Sequence, residues 1–217
     1  ARNAYDGEFG EMLKGIIHEC SGLTVVNFWE SGFRYFTNNI RPIYTPEDVP
    51  GIKFRSYQGE YRMAMFKALG VDAVPIAMNE LFTALQQKTV DGQENPYMNI
   101  VGNNLQEVQK YVVETNHVGH IIVFFMNNDL YQSLPDNTKA LLDECAAEAA
   151  EYAKGVASES IEQDKKTVED AGCEIVQFSD DDLAVLRDKA QVVYDMVKED
   201  LGDDVVQGFL DAVDAAR

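Results

Sequence analysis

The sequence predicts an α/β fold, and the prediction depends on alternation, length and composition. Between residues 52 and 104, short apolar segments of strand length alternate with longer segments whose apolar side chains recur at helical spacing. This alternation is typical of sheets whose strands are joined through helices. A hydrophobic content of 46% over 217 residues is enough to build a core in one large domain or two small ones.

The N-terminal segment predicts a helix followed by a strand. Residues 6–20 place apolar side chains on one helical face. Residues 23–29 form an apolar strand that ends at Trp29, the single tryptophan, and residues 30–34 are predicted to form a turn that exposes Arg34. Ligands bind beside the carboxyl ends of strands in open α/β sheets, so both side chains are candidate binding residues. A tryptophan that caps a core and an ordinary surface arginine remain the alternatives.

A second candidate follows a proline-rich connection. Three of the six prolines lie within residues 42–50, which predicts a stiff connector. Residues 52–55 then form a short strand that ends at Arg55, and a helix begins near Gly59. An arginine between a strand end and a helix N-terminus is well placed to bind a carboxylate through two parallel hydrogen bonds. Four arginines fall within 29 residues of an otherwise acidic chain: Arg34, Arg41, Arg55 and Arg62.

A polar segment, residues 90–96, lies between two further predicted helices. It follows a strand at residues 71–76 and a helix at residues 79–87, and it holds two acids and two amides, including Glu94 and Asn95. Its Asp-Gly pair favours a tight turn, and its final proline suits the first turn of a helix. A helix-strand-helix connector with a purely structural role and a binding loop are both compatible with this composition.

The C-terminal half predicts two strands and then mainly helices. Residues 111–113 and 120–126 are predicted as two separate strands that cross between two lobes. No proline occurs after Pro135, and residues 136–171 are predicted to form one helix about 54 Å long. A strand at 173–178, a helix capped by Ser179 with Asp182 at its third position, and a last helix at 203–216 complete the prediction.

Composition excludes several classes of protein. The net charge of −19 argues against nucleic-acid binding, which requires basic residues to neutralise phosphates. No apolar run approaches the roughly 18–20 residues that span a bilayer. Nucleophile elbows, dinucleotide fingerprints and phosphate loops are absent, so no catalytic residue and no cofactor is predicted. The histidines His117 and His120 have no further ligand nearby to complete a metal site. The three cysteines show no paired spacing and are expected to be buried and apolar in character.

An ordered set of motifs carries a resemblance to a known family. The motifs are Gly51-Ile-Lys-Phe-Arg55, Phe66-Lys-Ala-Leu-Gly70, Leu81-Phe-Thr-Ala-Leu-Gln86, Val90-Asp-Gly-Gln-Glu-Asn-Pro96, Glu107-Val-Gln-Lys-Tyr111 and Thr115-Asn-His117. Together they resemble the solute-binding proteins of tripartite ATP-independent periplasmic (TRAP) transporters, the dicarboxylate-binding family. The resemblance runs from Gly10 past Pro135, and the long helix continues it.

The resemblance implies a fold and a set of ligand-binding residues. It implies a two-lobed α/β protein of the periplasmic-binding-protein type, with hinge strands and one long helix that spans both lobes. Arg55 would grip the ligand carboxylate, with Arg34 and Asn95 adding hydrogen bonds. Met78 stands where relatives often carry an aromatic residue in the pocket wall. Two further ligand-binding candidates are Trp29 and Glu94.

The resemblance also implies a division into lobes. Residues 1–31 and 121–160 would belong to a first lobe, which contains the start of the long helix. Residues 32–120 and 161–217 would form the second lobe. Relatives carry about a hundred further residues before the counterpart of Ala1, so the first lobe is expected to be incomplete. Its unpaired strand edges would invite pairing with another copy of the chain.

The implied function is transport. The protein would bind an organic acid, with a sugar acid such as a uronate favoured over a C4-dicarboxylate, and would deliver it to a membrane permease. Its location would be periplasmic, or extracytoplasmic and tethered to the membrane in a Gram-positive organism.

Two alternatives come from other classes of protein. One is a small hydrolase or lyase with Glu94, Asp91 or Glu30 as acid or base, and the other is an acidic interaction protein with the long helix as its binding surface.

Overall fold

The structure is a computed structural model that describes Tyr5 and residues 7–215. Helices and strands alternate in this part of the chain, which confirms the predicted mixed α/β class. The helices are α1 Glu8–Ser21, α2 Glu60–Ala68, α3 Met78–Gln86, α4 Tyr97–Gly102, α5 Asn128–Ser133, α6 Asp136–Asp170, α7 Asp180–Lys189, α8 Gln191–Leu201 and α9 Asp203–Ala215. The strands are β1 Leu23–Asn38, β2 Lys53–Ser56, β3 Asp72–Pro75, β4 Gly92–Asn95, β5 Tyr111–Asn127 and β6 Glu174–Gln177.

The strands join in one mixed sheet with the order β3-β2-β4-β1-β5-β6. β2 pairs in parallel with β3 and with β4, and β5 pairs in parallel with β6. β1 runs antiparallel to β4, with Tyr35 opposite Asn95 and Phe36 opposite Glu94. The carboxyl ends of β2, β3 and β4 therefore lie at the same edge of the sheet, where Arg55 and Asn95 are located.

The chain divides into two compact units. The first unit contains Ala1–Ser31, Ile121–Ser158 and Val197–Arg217, and the second unit contains Gly32–His120 and Glu159–Met196. The strands β1 and β5 and the helices α6 and α8 each contribute residues to both units. The correspondence between these two units and the two predicted lobes stays a prediction.

One part of the predicted division differs from the structure. Residues 197–217 are predicted to belong to the second lobe, whereas the structure groups Val197–Arg217 with the first unit. The cause is a contact between α9 and α1, because the rings of Phe9 and Phe209 lie 5.6 Å apart and Met12 packs close to Gly208. The apolar face of α9 is buried in this way, with Val205 and Val206 among its buried side chains.

The second unit buries a hydrophobic cluster on each face of its sheet. Phe36 and Phe54 belong to the cluster that packs against α2 and α7, and their rings lie 5.0 Å apart. Tyr35 belongs to the other cluster, which packs against α3 and α4, and its ring lies 4.6 Å from that of Tyr97. Because neighbouring residues of a strand point to opposite faces, both faces of this sheet are covered, and the central strand β4 is buried on both sides.

Two local predictions are wrong in their secondary structure, and a third segment needs comment. Residues 30–34 lie within β1 and do not form a turn, since the aromatic residues that follow Gly32 continue the strand into the core. Residues 111–113 and 120–126 belong to one strand, β5, and not to two. The polar segment 90–96 contains β4, a fully buried central strand that lies between α3 and α4 in the chain, as a helix-strand-helix connector requires.

Other local predictions are confirmed, and one about the cysteines is partly wrong. Ser179 caps α7 and forms the predicted reciprocal pair of hydrogen bonds with Asp182. Cys173 is buried, as expected, but Cys20 and Cys145 are exposed. Among the described helices, each is too short or too polar to span a lipid bilayer.

Replacing Gly92 by alanine is expected to destabilise the second unit. The added methyl group would meet the backbone oxygen of Thr37 and would lie only 2.8 Å from a ring carbon of Phe54. Overpacking of this kind costs about 1–3 kcal/mol of unfolding free energy, and contact with rigid backbone favours the upper end. Chemical denaturation would measure the loss. Gly119→Ala is the matched control, because its methyl group meets nothing within 4 Å, and equal stability of the two variants would contradict the packing described for β4.

Candidate functional site

Arg55 is held at the carboxyl end of β2 with the outer part of its guanidinium group available. Its Nε donates a hydrogen bond of 2.7 Å to the carbonyl oxygen of Ile76. Within the described part of the chain, Nη1 and Nη2 make no hydrogen bond. The residue is only 4% exposed, and its pKa is lowered by burial and by Arg34, although Glu94 acts in the opposite direction. An arginine remains a cation despite such a shift, so Arg55 offers two parallel donors to an anion.

Arg34 lies on β1, and its guanidinium group contacts the last two residues of β4, Glu94 and Asn95. Its Nε lies 2.5 Å from Oε2 of Glu94, and its Nη2 donates to Oε1 and to the carbonyl oxygen of the same residue at 3.1 and 2.7 Å. Nη2 also lies 2.8 Å from Oδ1 of Asn95. Nη1 has no hydrogen-bond partner among the described residues. One side of this guanidinium group is therefore fixed by β4, and the other side is available.

Glu94 lies at the centre of a buried charged cluster. Its side chain has no exposed surface, and its Oε2 lies 2.9 Å from Nη1 of Arg62 in addition to the contact with Arg34. Nε2 of His117 lies 3.3 Å from the same oxygen, without the alignment of a hydrogen bond. Nδ1 of His117 is 2.6 Å from the hydroxyl oxygen of Thr115. The carboxylate is thus surrounded by cationic and polar groups of the protein itself.

Asn95 is oriented by a chain of buried hydrogen bonds. Its Nδ2 donates to Oε1 of Gln93 at 2.5 Å, and Nε2 of Gln93 donates to Thr37, whose hydroxyl donates to Gln109. Its Oδ1 accepts from Arg34 and also from Nδ2 of Asn99 at 3.1 Å. An amide nitrogen carries two protons, and the second N–H of Asn95 donates a weak hydrogen bond to the Met78 sulfur at 4.0 Å.

A cavity of about 370 Å³ lies beside Arg55. Its lining residues come from the end of β2, the end of β3 and the start of α3: Arg55, Tyr57, Gln58, Pro75, Ile76, Ala77 and Met78. Ala77 precedes α3 and provides no side-chain cap. The first amides of a helix have no partner inside that helix and favour an anion. The cavity therefore combines a guanidinium group and a helix N-terminus with an apolar wall.

Five of the six predicted ligand-binding residues lie in the second unit. Arg34, Arg55, Glu94 and Asn95 are buried there, and Met78 lines the cavity beside Arg55. Trp29 belongs to the first unit, where its ring stacks on Phe124 at 5.5 Å. Its buried Nε1 has no hydrogen-bond partner among the described residues. A contact between ligand and each of the six residues stays a prediction.

Sequence reasoning missed the role of residues that support this site. Arg62 was counted among the clustered arginines without a role, and His117 was considered only as a metal ligand. Both were overlooked because their partner, Glu94, becomes a neighbour only when β4 pairs beside β1 and beneath α2. The signal that could have revealed them is the buried acid of β4, which requires cations close by.

The stability of the second unit is expected to fall at acid pH through Glu94. Burial alone would raise the pKa of this carboxyl group, but His117, Arg34 and Arg62 lower it from 4.5 to about 2. A pKa that is lower in the folded state gives stability that is present above about pH 4.5 and is lost as the pH falls through 2. The full loss is about 3–4 kcal/mol at about 1.4 kcal/mol per pKa unit.

Urea denaturation of the wild type and of Glu94→Gln between pH 7 and pH 2 would measure this effect. The difference in unfolding free energy between the two proteins should shrink as the pH falls, because the wild type alone loses the contribution of Glu94. The comparison cancels the titration of the other acidic residues. A difference that stays constant over the whole range would show that Glu94 is not held as a stabilised carboxylate.

Comparison with known proteins assigns the chain to a family. Residues 1–200 match the family described as bacterial extracellular solute-binding protein, family 7 (DctP). The chain belongs to this family, which confirms the class that the motifs predict. The family consists of solute-binding proteins and not of enzymes, so the hydrolase or lyase alternative is wrong.

Two kinds of relative are similar to this chain. The C4-dicarboxylate-binding periplasmic protein DctP of Rhodobacter capsulatus is 31% identical over 203 residues, which cover 92% of this chain and 60% of that protein. The chain therefore spans about 60% of the length of this relative. Among solved structures, the sugar acid binding protein DctPAm of Advenella mimigardefordensis, in complex with galactonate, has a TM-score of 0.90 at 32% identity. The match covers 99% of this chain and 69% of that one.

A second similar structure also holds a sugar acid. It is the TRAP periplasmic solute-binding protein of Chromohalobacter salexigens with bound D-glucuronate, with a TM-score of 0.90 at 27% identity. The match covers 97% of this chain and 69% of that one. These likenesses confirm the fold class of TRAP periplasmic binding proteins.

Proposed function

We propose that this chain is the main part of an extracytoplasmic solute-binding protein and that its second unit binds the carboxylate group of an organic acid. The observation that carries the proposal is the free pair of terminal nitrogens of Arg55 in a cavity at the strand ends. Because Ile76 holds Nε, the planar group is already oriented before the ligand arrives. Such preorganisation reduces the entropy that binding would otherwise cost.

The carboxylate would dock on Arg55 and receive further hydrogen bonds from its neighbours. Nη1 of Arg34 is the available donor, and the second N–H of Asn95 would exchange its weak hydrogen bond to the Met78 sulfur for one to the ligand. The start of α3 adds a favourable electrostatic field, since the amides of a helix N-terminus attract anions. In this arrangement Glu94 acts as a positioning residue for Arg34, because its own carboxylate would repel an anionic ligand.

Met78 and Trp29 are assigned to the wall that surrounds the ligand. Met78 lies in the lining of the cavity and contacts the amide of Asn95 through its sulfur. Trp29 is assigned on the family resemblance, since it belongs to the first unit. The resemblance also implies that the ligand is enclosed between two lobes, and this enclosure is part of the proposal.

We favour a sugar acid such as a uronate as the ligand, with a C4-dicarboxylate as the alternative. Two similar solved structures hold galactonate and D-glucuronate, which supports the first choice. The similar protein named for C4-dicarboxylates supports the second. Both ligand classes present a carboxylate that fits the arginine pair.

The partner and location follow from the same family. We propose delivery of the ligand to a membrane permease and a periplasmic location, or tethering outside the cytoplasmic membrane in a Gram-positive organism. Self-association through strand edges is a further proposal. It is supported by the length of β1, because β4 covers only residues 35–38 of that strand. Residues 23–31 of β1 thus extend beyond that pairing.

A thermal-shift panel of uronates, aldonates and C4-dicarboxylates tests the ligand class. A ligand that binds only the folded state raises the free energy of unfolding by mass action and therefore raises the melting temperature. At a ligand concentration of 100 times Kd the gain in unfolding free energy is about 2.7 kcal/mol. We expect the largest shift from a uronate or an aldonate. A shift with C4-dicarboxylates alone would favour the alternative, and no shift with any acid would contradict carboxylate binding by this chain.

A further inference from the structure

Arg62 links the buried cluster to the wall of the ligand cavity. It lies on α2, and its Nη1 donates to Oε2 of Glu94 at 2.9 Å. Its Nη2 lies 3.4 Å from the hydroxyl oxygen of Tyr57, and its guanidinium carbon is 5.1 Å from the centre of that ring. Tyr57 in turn lines the cavity beside Arg55. The side chain of Arg62 is only 11% exposed, so most of its charge acts inside the protein.

The charges of this cluster do not cancel. Glu94 is one carboxylate in contact with two guanidinium groups, those of Arg34 and Arg62. Burial lowers the pKa of His117, so at neutral pH this side chain adds no charge. The three charged groups together keep one positive charge, in addition to that of Arg55. Without Arg62, the carboxylate of Glu94 would offset the whole charge of Arg34.

We propose that Arg62 is a specificity-determining residue that acts through Glu94 and sets the net positive charge of the carboxylate site. The proposal rests on the function proposed above. Arg62 offsets Glu94, and Arg34 therefore presents an uncancelled charge at its free Nη1. A net charge of −19 on the whole chain repels anions at long range, so the local excess decides whether an anion binds.

The charge excess favours ligands with more negative charge. Coulomb attraction scales with the charge of the ligand, so each carboxylate of a dianion contributes to the interaction with Arg62. In a monoanion such as D-glucuronate, one carboxylate is attracted by the excess positive charge. In a dianion such as succinate, both carboxylates are attracted by this charge, although the second carboxylate lies farther away. Loss of Arg62 should therefore reduce the affinity for the dianion more than that for the monoanion.

Titration calorimetry of four variants with D-glucuronate and succinate tests the proposal. Arg62→Gln is expected to weaken D-glucuronate binding roughly tenfold and succinate binding by a larger factor. Arg62→Lys keeps the charge and should stay within about threefold of the wild type. Arg62→Gln combined with Glu94→Gln restores the net charge of the cluster and should recover most of the lost affinity, because Arg34 keeps its hydrogen bonds to the carbonyl oxygen of residue 94 and to Asn95. Arg187→Gln removes a charge from exposed surface in the same unit, and it should leave affinity unchanged.

The double variant separates an electrostatic role from direct ligand contact. Failure of a folded double variant to recover affinity would overturn the proposal, as would equal losses for Arg62→Gln and Arg187→Gln. If the double variant fails to fold, rescue by Arg62→Lys decides the question, because an uncharged structural role would give the same loss with lysine as with glutamine.

A measurement without ligand keeps this inference distinct from the proposed function. If the wild type binds neither D-glucuronate nor succinate, the proposed function fails for these acids. The offset of Glu94 by Arg62 is then tested by melting temperature at neutral pH. The proposal expects Arg62→Gln to lower it more than Arg187→Gln does, and equal melting temperatures would overturn the inference.

Discussion

Replacing Arg55 by alanine should weaken binding of the organic acid by about 2–5 kcal/mol, which is the usual cost of truncating one partner of a buried charged hydrogen-bond pair. The expectation follows from geometry, because Arg55 is 4% exposed and presents two terminal nitrogens to the cavity. Removal of its side chain leaves the ligand carboxylate without its main counter-charge. Calorimetric titration with the acid selected by the thermal-shift panel would measure the change in Kd.

Two further variants make the Arg55 experiment specific. Lysine at this position should not restore affinity, since an ammonium group cannot form the planar pair of parallel hydrogen bonds. Arg187→Ala is the matched control, because it removes an exposed arginine of the same unit. Equal affinity of Arg55→Ala and Arg187→Ala would show that the carboxylate binds elsewhere.

Glu94→Ala is expected to lower the free energy of unfolding by about 3–5 kcal/mol, the cost of removing one partner of a buried ion pair. The carboxylate has no exposed surface, and its loss would leave Arg34 and Arg62 buried without their counter-charge. The affected charges lie in the core of the second unit, where water cannot solvate them fully. Urea denaturation at pH 7 would measure the loss.

An exposed acid provides the comparison for Glu94. Glu159 lies on α6 in the same unit and is exposed, so Glu159→Ala should change the unfolding free energy by less than about 0.5 kcal/mol. If both alanine variants were equally stable, the buried cluster around Glu94 would not contribute to stability. That outcome would also remove the basis for the positioning role of Glu94.

The fold was predictable where a local pattern decides the structure. The spacing of apolar residues and the capping pair Ser179 and Asp182 identified helices such as α1, α6 and α7, because these signals lie within one or two turns, whereas α5 and α8 were not predicted. The two long strands were not recognised as continuous. Ser31 and Gly32 suggested a turn, but the tertiary burial of the aromatic residues after them continues β1. Packing on both faces of the sheet decided the outcome, and no local signal contains that information.

The candidate site was predictable in its residues and less so in their roles. Arg34, Arg55 and Asn95 were named from motifs, and the structure places all three in the second unit. Their hydrogen bonds depend on strand pairing. Only the register that sets Phe36 opposite Glu94 brings the acid of β4 onto the same face as α2 and Arg62. A sequence pattern alone cannot supply this register, because the paired residues are separated by more than fifty positions.

Calorimetric titration of the wild-type chain with D-glucuronate and with D-glucuronamide tests the central claim most directly. The two compounds share one sugar ring and differ in the group that carries the charge. The site described here predicts binding of the acid and a loss of affinity of at least about tenfold for the neutral amide, since Arg55 and Arg34 would lose their charged partner. Equal binding of both compounds would contradict recognition through the carboxylate.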